Sequence, residues 1–151
     1  MRASALLATN MQRILVDLID LHIQGKQAHW NIVGHDFHEL HLQLDELVDA
    51  ARDASDDVAE RMRALYAVPD GRARTVADTS SLPEFPEGEI DTRAAVGFIT
   101  LSIQQAVATI RDVHDAVDAE DPSTTDILHG IIDRLEKLEW MIGAETRTPG
   151  M

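Results

Sequence analysis

Four histidines, His29, His35, His38 and His41, stand close together in the run HWNIVGHDFHELH, and the carboxylates Asp45, Asp49, Asp53, Asp56, Asp57 and Glu60 follow at short intervals. His41 and Asp45 are one helical turn apart, as are Asp56 and Glu60. On a helix, each pair presents two donor groups to one ion. The chain contains no cysteine. Disulfides, thiolate metal sites and cysteine nucleophiles are thereby excluded, and any metal has to be held by His, Asp and Glu, which favours harder cations. The competing explanation for any one of these pairs is a solvated acidic helix face.

Composition narrows the setting for this chemistry. With 151 residues, 44% of them hydrophobic, the chain suits a single domain over residues 1–151 with a continuous core. Thirteen Lys and Arg against 27 Asp and Glu leave a net charge of -14, and Lys26 and Lys137 are the only lysines. Bulk electrostatics therefore disfavour a polyanion partner. The start, MRASALLATN, lacks the apolar core of a secretory signal, and no stretch reaches the roughly twenty apolar residues of a membrane span. A soluble, cytoplasmic protein is expected.

The elements that must position the donors follow from periodicity. Leu7, Met11, Ile14 and Leu18 recur at helical steps, and the stripe continues through His22 and Gly25 to His29, predicting a first helix from about residue 4 to Ile32. Gly34 closes it. Asp36, three residues before Glu39, has capping-box spacing and predicts the next helix start after a tight turn. That second helix runs to about Tyr66 with a core stripe of Phe37, Leu40, Leu44, Leu47, Ala51, Ala54 and Val58. From Ala67 to Ile90 periodicity is lost while Pro69, Gly71, Pro83, Pro86 and Gly88 appear, which predicts a long crossover, with room for a short helix at Thr79 to Leu82. Asp91 caps a third helix with stripe Ile99, Ile103, Ala106, Ile110, Val113 and Val117. Asp121 and Pro122 open a fourth with Leu128, Ile131, Leu135, Leu138 and Ile142. Two short-turn helix pairs joined by one long crossover define an all-α, ferritin-like four-helix bundle.

Geometry constrains the donors further. Asp45 and Asp56 are separated by roughly 16 Å of helix rise, far beyond the reach of one ion. The four residues His41, Asp45, Asp56 and Glu60 also lie about a quarter turn or more from the core stripe and face out of their own bundle. A two-fold dimer with antiparallel second helices resolves both problems. It sets His41 and Asp45 of one subunit opposite Asp56 and Glu60 of the other, with His29 joining from the first helix. No Glu-x-x-His occurs in the chain, which distinguishes this arrangement from an ordinary di-iron bundle.

The run KQAHWNIVG (Lys26 to Gly34), then Phe37, Leu40, His41 and Asp45, then Asp56, Glu60 and Arg61, with DPSTTD and LEKLEW in the last helix, resembles the Dps family of starvation-associated mini-ferritins over nearly the whole chain. The resemblance implies a hollow homo-dodecameric cage, built from two-fold dimers, that oxidises Fe(II), typically with hydrogen peroxide, at inter-subunit ferroxidase sites and stores the ferric product as mineral. Its ligand set carries over to His29, His41, Asp45, Asp56 and Glu60. Trp30, beside a ligand, matches a tryptophan suggested to modulate oxidant chemistry; a packed aromatic at a subunit contact is the simpler alternative. Asp118, Glu120, Asp121 and Asp126 cluster where the family builds its three-fold pores, or form a solvated turn. Glu46, Asp49 and Asp53 are candidates for mineral nucleation inside the cage.

The remaining histidines carry weaker expectations. His35 and His38 suit an accessory metal site or an interface, His22 suits a hydrogen-bonded interface position, and His114 and His129 carry no motif. Many Dps proteins bind DNA through basic tails. Here Arg2 and Arg147 are the only basic residues flanking the bundle, so DNA binding is expected to be weak or absent at neutral pH. Two other functions compete with an iron-oxidising store: a nucleoid-associated, DNA-protecting protein, and a non-catalytic shell for another divalent ion, because this donor set also accepts Mn, Zn or Co.

Overall fold

The computed structural model describes residues 1–150. It contains α1 (Ala5–Asn31), β1 (Ile32–Val33), α2 (Phe37–Ala64), α3 (Ala73–Thr79), β2 (Ile90–Asp91), α4 (Thr92–Glu120) and α5 (Pro122–Ala144). The four long helices form a bundle in which α1 packs on α2 and α4, and α5 packs on α4 and α2. Their buried stripes are those the periodicity predicts, including Met11, Ile14 and Leu18 on α1, Leu44 and Leu47 on α2, Ile99 and Ile103 on α4, and Leu128 and Leu135 on α5. Contrary to the expectation that no stretch is apolar enough to span a membrane, α4 is long and apolar enough by length and composition, but half of its most apolar stretch is buried in the bundle. Core packing accounts for its apolar character.

The turn between α1 and α2 departs from the expected capping box. Gly34 has φ +121°, and a Cβ there would stand 3.1 Å from Asp91 Oδ1 and 3.3 Å from Thr92 Oγ1. Only glycine meets both demands cheaply. Asp36 adopts a left-handed conformation at φ 61° and its side chain makes no cap hydrogen bond; its main-chain carbonyl accepts from Leu40 N instead. The first turn of α2, through Glu39, is solvent-exposed. Phe37, expected in the core, is accordingly 42% exposed.

A two-residue parallel ladder pairs Ile32 with Ile90 and Val33 with Asp91, fastening the end of the crossover against the α1–α2 turn. Asp91 then caps α4, accepting from Arg93 N and Ala94 N. The crossover's helix lies at Ala73–Thr79 rather than Thr79–Leu82, with Val76 its sole buried residue. A polar rail on α1 holds this segment. Asp17, 1% exposed, accepts from Ser81 N (2.8 Å), Ser81 Oγ (2.5 Å) and Thr109 Oγ1 (2.6 Å). Gln24 donates to the Pro83 carbonyl and accepts from Ser102 Oγ. Asp20 accepts from Ser80 Oγ. Burial raises its pKa above the ordinary carboxylate value, with Asp17 adding to the shift, and the bonds from Ser80 and Gln24 only partly offset this.

Candidate metal centre

Because α1 and α2 run antiparallel across a tight turn, the last turn of α1 faces the second turn of α2. His29 and His41 meet there. Their rings stack with centroids 3.6 Å apart and planes 17° from parallel. His29 Nδ1 donates to the His41 carbonyl at 2.7 Å, and His41 Nδ1 donates to the His29 carbonyl at 2.9 Å. A carbonyl only accepts, so in the neutral rings the proton sits on Nδ1. Both Nε2 lone pairs are left for a metal, the arrangement in which an outer hydrogen bond fixes a ligand's tautomer and orientation. Phe37 continues the stack with its ring 5.1 Å from that of His41.

Asp45 stands one turn beyond His41. Its Oδ1 accepts from Lys26 Nζ at 2.7 Å and lies 3.5 Å from His29 Nδ1. The Lys26 hydrogen bond holds the Asp45 carboxyl below its ordinary pKa, against a smaller opposing effect of desolvation and with help from the fields of His29 and His41. An anionic oxygen and two imidazoles are thus gathered on one patch of the α1–α2 face, with Lys26 balancing the charge.

Asp56 and Glu60 lie on the same helix, exposed to solvent, roughly 16 Å and roughly 22 Å of helix rise from Asp45. Among the described residues, no three His, Asp or Glu side chains of one chain converge as a metal site. The chain therefore carries two separated groups of side chains with donor atoms, His29, His41 and Asp45 in one and Asp56 and Glu60 in the other, neither closed by itself. Between α1 and α2, an open cleft is lined by His22, Asp49, Arg52, Asp53 and Asp56, with Pro69 and Gly71 of the crossover at its edge. Burial lowers the pKa of His22, and the charges of Arg52 and Lys26 lower it further.

The other predicted positions fall in distinct settings. Trp30 is 68% exposed beside the buried His29. His35 and His38 are exposed near Asp36 and Glu39, at 3.7 and 3.9 Å, and do not join His29 and His41. Glu46, Asp49 and Asp53 are exposed, and Asp53 is 3.2 Å from Arg134 Nη1. At the α4–α5 turn, Glu120 accepts from Ser4 N and Ser4 Oγ at 2.8 and 2.6 Å. Asp121 is buried and accepts from Arg61 Nη2 at 2.7 Å and Thr124 Oγ1 at 2.5 Å. Burial raises its pKa, but the bonds from Thr124 and Arg61 outweigh it and leave the carboxyl below its ordinary value. Although Asp121 sits at the N-cap position, its side chain caps no backbone N–H. Asp118 and Asp126 remain exposed.

Three groupings escape sequence reasoning: the Lys26–Asp45 pair, the Asp17 rail, and a contact between His114 of α4 and His129 of α5. The last has a faint signal, since the two histidines lie at nearly equal distances on either side of Asp121.

The ferritin-like domain family matches residues 8–148. The chain is 34% identical over 134 residues to DNA protection during starvation protein 2 of Deinococcus radiodurans, an alignment that covers 89% of this chain and 56% of that protein. It thus spans little more than half the length of that relative. The crystal structure of Dps92 from Deinococcus radiodurans matches with a TM-score of 0.90 at 33% identity, covering 95% of this chain and 88% of that one. The Dps protein of Vibrio cholerae O1, described as a member of a broad superfamily of ferritin-like diiron-carboxylate proteins, matches with a TM-score of 0.85 at 25% identity over 93% and 89% of the two chains. With its four-helix bundle and single long crossover, the chain belongs to the ferritin-like family, in its Dps (DNA protection during starvation) branch.

Proposed function

We propose that this protein is a ferroxidase and iron store of the cytoplasm that oxidises Fe(II) at sites shared by two subunits of a dodecameric cage. The reciprocal His29–His41 pair carries the reading, because it fixes two imidazoles with both Nε2 atoms available and Asp45 beside them. Asp56 and Glu60 of the partner subunit supply the carboxylates that complete the set in an antiparallel two-fold contact. Anionic oxygen donors stabilise Fe(III) over Fe(II), which drives oxidation, while imidazoles favour binding of the divalent substrate. Two Fe(II) ions give up one electron each, and one peroxide takes both with two protons to yield two waters. No hydroxyl radical leaves. Exposed Asp118 and Asp126 draw cations toward the α4–α5 turn, and Glu46, Asp49 and Asp53 offer oxygen donors to ferric product. A net charge of -14 with two lysines opposes counterion-release binding to DNA.

The test is anaerobic loading with Fe(II) followed by a hydrogen peroxide pulse, with ferric absorbance recorded for the wild type and for Asp56→Ala/Glu60→Ala. Fast oxidation at two Fe(II) per peroxide in the wild type, lost in the variant, is the expected result. Equal slow rates would contradict the ferroxidase reading and favour a shell that sequesters Zn, Mn or Co.

A further inference from the structure

The seam between α4 and α5 contains rungs of complementary groups: Arg111 Nη2 meets Glu136 Oε1, and Gln104 Nε2 meets Glu139 Oε1, each at 2.6 Å. The next rung breaks the pattern. His114 Nε2 and His129 Nε2 face each other at 2.8 Å, with ring centroids 5.0 Å apart and planes 26° from parallel. Two identical ring nitrogens attract only when a proton or a cation lies between them. Each ring also has a carboxylate on its far side. Asp115 Oδ1 is 2.8 Å from His114 Nδ1, and Asp126 Oδ1 is 3.9 Å from His129 Nδ1. The short Asp115 contact is the carboxylate–histidine arrangement that holds Nδ1 of His114 protonated and directs its Nε2 at a metal; Asp126, beyond hydrogen-bond distance, adds only negative charge beside His129.

We propose that His114 and His129 form a two-imidazole clamp for one borderline divalent cation of the zinc and copper class, bridging α4 and α5. A tetrahedral ion with bonds of about 2.0 Å to nitrogen needs the two donors about 3.3 Å apart, so the rings have to part by only about half an ångström. Both imidazoles are partly exposed, which gives the ion an entry path and leaves its remaining positions to water. Imidazole donors select this class over Mg, Ca and Mn, which prefer oxygen. The clamp lies on different helices from His29, His41, Asp45, Asp56 and Glu60 and does not depend on iron oxidation. An ion held there cross-links α4 to α5 beside the turn that carries Asp118 and Asp126.

Equilibrium dialysis against Zn2+ alone tests the proposal. It is run on the wild type and on Asp56→Ala/Glu60→Ala, each with and without His114→Gln/His129→Gln. In both backgrounds, removing the two histidines is expected to abolish one bound Zn2+ per chain or weaken it at least tenfold, and to remove a Zn2+-dependent rise in melting temperature. Asp115→Asn, with both imidazoles in place, is expected to weaken the same ion about tenfold. Both rings are at the surface, so circular dichroism without metal should be unchanged. Equal Zn2+ stoichiometry and affinity with and without the histidines would overturn the clamp.

Discussion

His29 and His41 hold each other in place: each ring donates from Nδ1 to the other's main-chain carbonyl while the two rings stack at 3.6 Å. The pair is a structural clasp between α1 and α2 and, on its other edge, a pair of preoriented nitrogen donors. His41→Phe separates the roles. It keeps the stack and removes one hydrogen bond and one ligand, so stability should fall by only about 1 kcal/mol, while Fe(II) oxidation falls more than tenfold. Denaturant unfolding and stopped-flow ferric absorbance read the two effects, and oxidation within twofold of wild type would remove His41 from the chemistry.

Lys26 and Asp45 make an ion pair that is partly exposed, at 33% and 43% of the two side chains. Screening limits its worth to about 0.5 kcal/mol. Because Lys26 lowers the Asp45 pKa in the folded state, this stability is present above about pH 4, where the unfolded carboxyl is ionised. It is lost as pH falls through the lower folded value. The stability gap between wild type and Lys26→Met should therefore be constant near neutrality and close on acidification. Paired urea titrations from pH 7 downward measure it, and a gap that widens in acid would reverse the assignment.

Asp17 anchors the crossover by accepting three hydrogen bonds from a position 1% exposed. Asp17→Asn presents an NH2 group where the serine and threonine hydroxyls need an acceptor. A loss of about 2–3 kcal/mol follows, with faster proteolysis between Ala67 and Ile90. Wild-type cleavage kinetics in the variant would mean that the crossover is held by other contacts.

Arg61 and Asp121 join the C-terminal turn of α2 to the start of α5 through a 2.7 Å ion pair, with Asp121 buried and Thr124 completing its bonds. Removing the cation strands a buried carboxylate. Arg61→Met is expected to cost about 3 kcal/mol, and Asp121→Asn less, because no unpaired negative charge remains. The order of the two melting temperatures checks the argument.

The sequence carries the long helices plainly, because stripes such as Leu40, Leu44, Leu47, Ala51, Ala54 and Val58 are dictated by burial against neighbouring helices. It misplaces α3, whose one buried residue, Val76, leaves no stripe to follow. The capping box at Asp36 is absent for a different reason: the left-handed backbone required by the turn at Gly34 and Asp36 prevails over side-chain capping. Phe37 continues the apolar spacing, yet it lies in the exposed first turn and stacks on His41. The solvent exposure of Asp56 and Glu60 is legible from their spacing on α2, off the buried stripe. The His29–His41 clasp, the Lys26 pairing and the His114–His129 contact are not, because each joins helices whose relative register appears only in the fold.

A functional site that draws on two subunits can be rebuilt from two kinds of inactive chain. His41→Ala/Asp45→Ala chains and Asp56→Ala/Glu60→Ala chains, each inactive alone, are unfolded, mixed in equal amounts and refolded together, and peroxide-driven Fe(II) oxidation is measured. Random pairing in a two-fold dimer restores one intact site in each heterodimer, so activity should return to about a quarter of wild type. A mixture as inactive as its parents, with hybrid assemblies demonstrated by mass, would contradict a shared site.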